Sequence, residues 1–283
     1  MLDSETTKKI EDFVSKKPRS INEIANHIDK NWRTADRYIK KIRENFGTLD
    51  IRTFRKGTRG ALKIVYWAGV EKNTGSVFKD RLEKQIMQAH GKEDFAAFDI
   101  FQHVPDKNKK AWKSIGETEA KLGKLSNFID ILQKTKKQVL FFSGNLSFIN
   151  YKSKNFDVFK TIENLVKKGI QIKIVSRVDI TGKKNIEKLL SLNNKYSKEL
   201  IQIRHIEQPL RVTIIDDKHA NIKEIKEPTG RLKELNKKTF IFYDITDKEW
   251  VDWFRKIFWN MFNSSIDAHK RLKELKKLRN SPN

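Results

Sequence analysis

The chain has 283 residues and no cysteine, and its 60 Lys+Arg against 36 Asp+Glu leave a formal charge of +24. The missing cysteines exclude disulfides and thiolate metal ligands, 18 Phe and 6 Trp supply more apolar surface than a disordered chain carries, and no apolar run reaches the ~18 residues a membrane span needs. Such an excess of cations predicts a polyanionic partner, because each phosphate neutralised releases condensed counterions. The opening MLDSETTKKIEDF lacks a signal-peptide pattern, so a cytoplasmic protein is expected. Residues 1–70 hold 16 basic against 9 acidic residues, and 269–283 hold 6 against 1. Arg52 to Lys63 has five basic residues and no acid, the sharpest local signal.

Residues 1–68 read as a winged helix-turn-helix domain. Glu5 to Ser15 forms a first helix, with Ile10, Phe13 and Val14 on one face. Ser20 followed by Glu23 is a capping box that opens a short helix with Ile21, Ile24, Ala25 and Ile28 inward. Asn31 then caps WRTADRYIKKIRENF, whose buried stripe is expected to be Ala35, Ile39, Ile42 and Phe46. Gly47 ends it. Arg33, Asp36, Arg37, Lys40 and Lys41 lie off that stripe. Leu49–Phe54 and Ala61–Trp67 read as a hairpin around RKGTRG. A basic second helix in this context predicts DNA contacts from Arg33, Thr34, Arg37, Lys40 and Lys41, the first three in the major groove. Arg55, Lys56, Thr58 and Arg59 on the wing are expected at phosphates or the minor groove.

Residues 69–137 are expected to be a helical connector. SVFKDRLEKQIMQAH and ETEAKLGKLSNFIDILQKTK show helical spacing, and such stripes serve either a core or a dimer seam. DFAAFDIFQHVPDKNKKAW between them reads as an ordered connector.

Residues 138–268 alternate strands and helices, which predicts an α/β layered sheet with some parallel pairing. The strands are VLFFSGN, IQIKIVSR, LIQIRHI, the hairpin RVTIID with HANIKEI, and TFIFYDI. Helices are expected at Phe156–Lys168, closed by Gly169, and at Asn185–Tyr196. A final helix, Lys248 to Asn263, places seven aromatic or aliphatic residues at core spacing. The tail 269–283 reads as a basic helix or a disordered arm.

RVTIIDDKHANIKE resembles the heart of a phospholipase D-type phosphodiesterase. In that family a strand carries His-x-Lys, an acidic residue follows at the turn, and a Gly-Ser pair ends the next strand. The resemblance puts Pro209 at the nucleophile, Arg211 at the phosphate-holding lysine and Asp216 at the acid, with Lys223 and Glu224 at the Gly-Ser pair. Proline cannot attack phosphorus, so the site is expected to be catalytically dead. No triad spacing, P-loop or His-Glu-x-x-His occurs, so no catalytic residue, metal or cofactor is expected. Asp216, Asp217 and Glu224 are read as turn chemistry in preference to a metal cluster; His205 and His219 are read as structural.

The whole is thus an α+β winged helix-turn-helix, then a helical connector, then an α/β phospholipase D-like half-domain. That order is similar to the TrmB family of archaeal transcription regulators, which includes chromatin-coating proteins. The resemblance implies double-stranded DNA as partner, a nucleoid-associated homodimer and a possible small-molecule effector; the lack of a long apolar run predicts no membrane partner. The alternatives are a nuclease targeted by the winged helix and an adaptor that binds protein.

Overall fold

A computed structural model describes residues 2–46, 48–55, 61–67, 75–115, 125–153, 156–228 and 237–280. The first unit comprises α1 (Ser4–Lys16), β1 (Arg19–Ser20), α2 (Ile21–His27), α3 (Trp32–Phe46), β2 (Leu49–Arg55) and β3 (Ala61–Trp67), with sheet order β1-β3-β2. The capping box of α2 is present in full: Ser20 accepts from Glu23 N–H, and the Glu23 carboxylate accepts from Ser20 N–H at 2.7 Å. Asn31 Oδ1 accepts from Thr34 N–H at 2.9 Å and so starts α3. Ile10, Val14, Ile24, Ala35, Ile39, Ile42 and Val65 close one core.

Two expectations for α3 need correction. Phe46 is 60% exposed, because the last turn of α3 runs past the unit's core, and Tyr38 fills the inner face in its place. Asp36 is buried, because Lys63 at 2.6 Å and Lys40 at 3.0 Å neutralise it there.

The β2–β3 hairpin has two jobs. Side chains alternate across a strand, so Val65 faces the first core while Phe54, Leu62 and Ile64 face a second, larger one. The first unit therefore packs directly on the rest of the molecule.

The remainder comprises α4 (Gly75–Gln88), α5 (Phe98–Phe101), β4 (Lys109–Ile115), α6 (Leu125–Gln133), β5 (Gln138–Phe142), α7 (Val158–Lys167), β6 (Gln171–Ser176), α8 (Lys183–Tyr196) and β7 (Ile201–His205). Then come β8 (Val212–Ile215), β9 (His219–Lys226), β10 (Thr239–Ile245), α9 (Lys248–Ser264), β11 (Ile266–Asp267) and α10 (Ala268–Asn280). Among the described residues the sheet has eight strands in the order β11-β7-β6-β5-β8-β9-β10-β4. β5, β6 and β7 are parallel and their other partners antiparallel. One face is covered by α6, α7, α8 and α10, through Ile129, Ile162, Leu189 and Leu272 among others. The opposite face holds α4, α5 and α9, where Trp250, Trp253, Phe254, Ile257, Phe258, Met261 and Phe262 are all buried, as their spacing predicts. Full burial of each such side chain favours folding by roughly 1.5–3 kcal/mol.

Helix α7 ends as expected at Gly169, whose φ of +82° suits a residue without a Cβ. Ile170 N–H reaches Leu165 O and Gly169 N–H reaches Val166 O, the paired closing bonds of a Schellman motif.

The stretch 69–137 is not helical throughout. Lys109–Ile115 forms β4 and pairs along its whole length with β10. KKAWKSI has no period-two apolar pattern. Its placement comes from its neighbour: Trp112 lies opposite Phe242 and stacks on it at 4.0 Å. The apolar stripes of α4 and α6 are used inside the chain, with Leu82 and Ile86 in one core and Ile129 and Leu132 in the other. The tail is helical in α10, with Ala268 and Leu272 buried. No helix among the described residues is long and apolar enough to cross a membrane.

Candidate nucleic-acid interface and the phosphodiesterase-like positions

The outer face of α3 is built by helix periodicity. At ~100° per residue, positions 33, 34, 37, 40 and 41 share one side, opposite Ala35, Ile39 and Ile42. Arg33, Arg37, Lys40 and Lys41 are exposed and Thr34 is half-buried beside them. Arg33 and Arg37 rest near the Trp32 and Tyr38 rings, 5.7 and 5.6 Å from their centroids. Each guanidinium thus has an aromatic support and an open outer side. The first turn of α3 carries no acid. Asp36 beneath the stripe is opposed by burial, yet hydrogen bonds from Lys63 and Lys40 outweigh that and hold its carboxyl below the usual range. Exposed Arg52 on β2, the first cation of the acid-free run 52–63, adds to the same unit's positive surface. Arg55 ends β2, and Lys56, Thr58 and Arg59 lie outside the described residues.

The phosphodiesterase-like positions divide into two groups. Pro209, Arg211, Lys223 and Glu224 border one cleft of about 370 Å³. Asp216 lies elsewhere. Its carboxylate accepts from the N–H groups of Lys136, Lys137 and Gln138 at 2.6, 2.7 and 3.1 Å, which pins the β8–β9 turn to the start of β5. Asp216 and Asp217 both have positive φ, 49° and 61°, as a type I′-like turn requires. Asp217 meets Arg255 at 3.0 Å. Among the described residues no cluster of three or more His, Asp or Glu is placed to hold a metal.

Around Pro209 the backbone is fixed by buried Gln208, which donates to Ser143 O and accepts from Leu210 N–H. The Arg211 guanidinium packs over Gly144, where an added Cβ would fall 2.6 Å from Nη2. The two nearby histidines are tied down. His205 Nδ1 accepts from Val178 N–H at 3.0 Å, and burial pulls its pKa below the ordinary value. His219 Nε2 bonds Asp244, which also accepts from Asn221 and Trp112.

The cleft's other wall comes from distant segments, Lys17, Arg19, Glu23 and Lys92. Sequence reasoning missed them, because no local motif marks residues that meet only across a fold. At its back Lys226 bridges Glu23 of α2 at 3.4 Å and Glu224 of β9 at 3.1 Å, and Tyr243 O–H donates to Glu224. Burial would lower Lys226, but the two carboxylates outweigh it and raise its pKa. This network fastens α2 to the large sheet.

Nearby Asp99 is pushed up to about 8, first by burial and then by the Glu224 carboxylate, against the weaker pull of Arg81, Lys17 and Lys226. An unfolded Asp releases its proton near 3.8. Between the two values the folded protein holds the extra proton, so stability falls as pH rises, by up to about 1.4 kcal/mol per unit, and levels off above the folded value. Asp99→Asn has no such proton to lose. The full interval would give the variant roughly 5–6 kcal/mol over wild type, but Asp99 is only partly buried and solvent screening reduces this. Its advantage is expected to be near zero at about pH 4 and to reach roughly 1–3 kcal/mol at about pH 9 in urea unfolding. A gap that does not change with pH would contradict this assignment.

No protein-family model and no curated protein matches the sequence. Among solved structures, the chain is similar to the phospholipase D family member Nuc from Salmonella typhimurium, with 11% identity and a TM-score of 0.39 over 56% of this chain and 98% of that one. It is similar to NucT from Helicobacter pylori at 14% identity and a TM-score of 0.38, over 56% of this chain and 99% of that one. It is also similar to TrmBL2, an archaeal chromatin protein, at 14% identity and a TM-score of 0.35, over 94% of each chain.

Proposed function

We propose that this is a non-enzymatic double-stranded DNA-binding protein of the regulator or chromatin type, acting as a homodimer. The outer face of α3 carries the reading: four exposed cations and a threonine on one side of a helix whose other side is locked in a core. The order helix, strand, helix, helix, strand, strand, with β3 central, supports a winged helix-turn-helix in which α3 is the recognition helix. Two such units about a two-fold axis suit half-sites ~34 Å apart. For the non-enzymatic part, the support is the proline at the nucleophile position and the structural bonds that occupy His205 and His219.

The test is a salt-dependent titration of random duplex DNA and of the duplex upstream of the protein's own gene. Six to ten phosphate contacts lose roughly 10³–10⁵ in affinity between about 50 and 200 mM salt. Preference for the upstream duplex indicates an operator-specific regulator; equal, steeply salt-dependent binding indicates a chromatin role. Absence of binding to both refutes the DNA reading and leaves RNA or protein partners. The same labelled DNA, incubated with and without divalent metal, should stay intact. Cleavage that disappears in His205→Ala or His219→Ala would replace this reading with a phospholipase D-like nuclease.

A further inference from the structure

The cleft between the first unit and the large sheet has a volume of about 370 Å³, within the range of small-molecule sites. Six cations and four carboxylates line it. The carboxylates have close cationic partners: Glu23 and Glu224 share Lys226, Glu23 also meets Arg19 at 3.8 Å, Glu93 meets Lys92, and Glu227 meets Lys92 and Lys238. The wall keeps a surplus of two positive charges, six less four. Lys17 is the clearest part of it, since its ammonium donates to the backbone carbonyl of Glu93 and, among the described residues, to no carboxylate. Burial, with Arg19 and Lys226 close by, pulls the Lys17 pKa below the ordinary lysine value. Burial also lowers Arg19. Cations crowded in this way gain from an anion placed between them. Between the charges lies an apolar floor that includes Ala96, Pro209 and Ile222.

We propose that this cleft binds a small phosphorylated metabolite, its phosphate among the cleft's cations and its uncharged body on the apolar floor. A phosphate monoester carries a charge of about −1.5 to −2 near neutral pH, which matches the surplus. Guanidinium and ammonium groups together suit its oxygens. Lys17 and Arg19 belong to the unit that carries α3, whereas Arg211 and Lys223 belong to the sheet. An occupied cleft therefore adds a further tie across a junction that the shared core and Lys226 already hold. That coupling rests on the DNA-binding reading above; occupancy itself does not, and is measured without DNA.

The experiment is isothermal titration of the full chain with glucose 6-phosphate, AMP and inorganic phosphate, with glucose and adenosine as neutral controls. At least one ester is expected to bind more tightly than inorganic phosphate, and the neutral compounds not at all. Lys17→Ala and Gly144→Ala should each weaken ester binding roughly tenfold, and Lys184→Ala on exposed α8 should leave it unchanged. Gly144→Ala keeps every charge and displaces only the Arg211 guanidinium, so its loss reports geometry. Thermal melts establish that each variant is folded. No heat from either ester at about 10 mM, esters no tighter than inorganic phosphate, undiminished binding in both variants, or competition by short duplex DNA for the same site would each overturn the proposal.

Discussion

Arg37→Glu combined with Lys41→Glu is expected to abolish measurable duplex DNA binding near physiological salt without harming the fold. Both side chains are exposed on α3 and neither enters its core. Exposed substitutions of this kind usually change stability by no more than about 0.5 kcal/mol. Each lost phosphate contact lowers the salt slope by about 0.9, and each reversed charge adds repulsion, so affinity should drop by roughly 10²–10³. The matched control is Lys168→Glu with Lys184→Glu, exposed on α7's end and on α8. It changes net charge by the same amount on a different surface. If the control loses affinity to the same degree, binding follows total charge, and α3 has no special role. Arg37→Ala alone separates the two DNA modes. A base-reading arginine loses discrimination between sequences, whereas a phosphate contact weakens all duplexes alike.

Lys226→Met should be among the most destabilising single changes in this protein. It removes the cation that Glu23 and Glu224 share and leaves Glu23 only its longer contact with Arg19 at 3.8 Å, while the methionine fills the volume without the charge. Breaking a buried pair by removing one partner typically costs about 3–5 kcal/mol. The Glu23 side chain keeps 31% exposure, and solvent screens part of the repulsion, which brings the expected cost to roughly 2–4 kcal/mol. Glu23→Gln and Glu224→Gln added to Lys226→Met should recover most of it, because the triad then holds no charge. Urea unfolding measures both, and hydrogen exchange should show α2 opening first in the single variant. A cost below about 1 kcal/mol, or a triple variant as unstable as the single one, would mean that the network contributes little.

Much of the local structure was legible in the sequence for a physical reason. The Ser20–Glu23 capping box, the Asn31 cap, the Gly169 terminus and the backbone of the Asp216–Asp217 turn are all short-range devices closed within a few residues, although the two turn carboxylates bind distant partners. The α9 stripe was legible because its period matches the helix. What escaped were features supplied by distant partners. β1 is two residues long and exists because β3 lies beside it. β4 has no strand pattern of its own and is held by β10. Asp36 reads as a solvated charge until Lys63, 27 residues away, is placed on it. The candidate DNA face was readable because one helix carries it. The cleft was half readable: Pro209, Arg211, Lys223 and Glu224 belong to one hairpin motif, with Lys226 on the same strand, but Lys17, Arg19 and Lys92 converge on it only in the fold.

The two borders of the large sheet have a consequence for how copies of the protein can meet. Among the described residues the sheet stops on one side at β11, a strand of two residues, and on the other at β4, which presents exposed Lys110 and holds Lys109 against Asp106. A long, flat, apolar border strand offers a row of unpaired amides to the next molecule and invites open-ended fibres. A stub and a lysine-bearing strand make poor templates for such growth. Contacts between copies of this chain are therefore expected to use side-chain surfaces in preference to added strands.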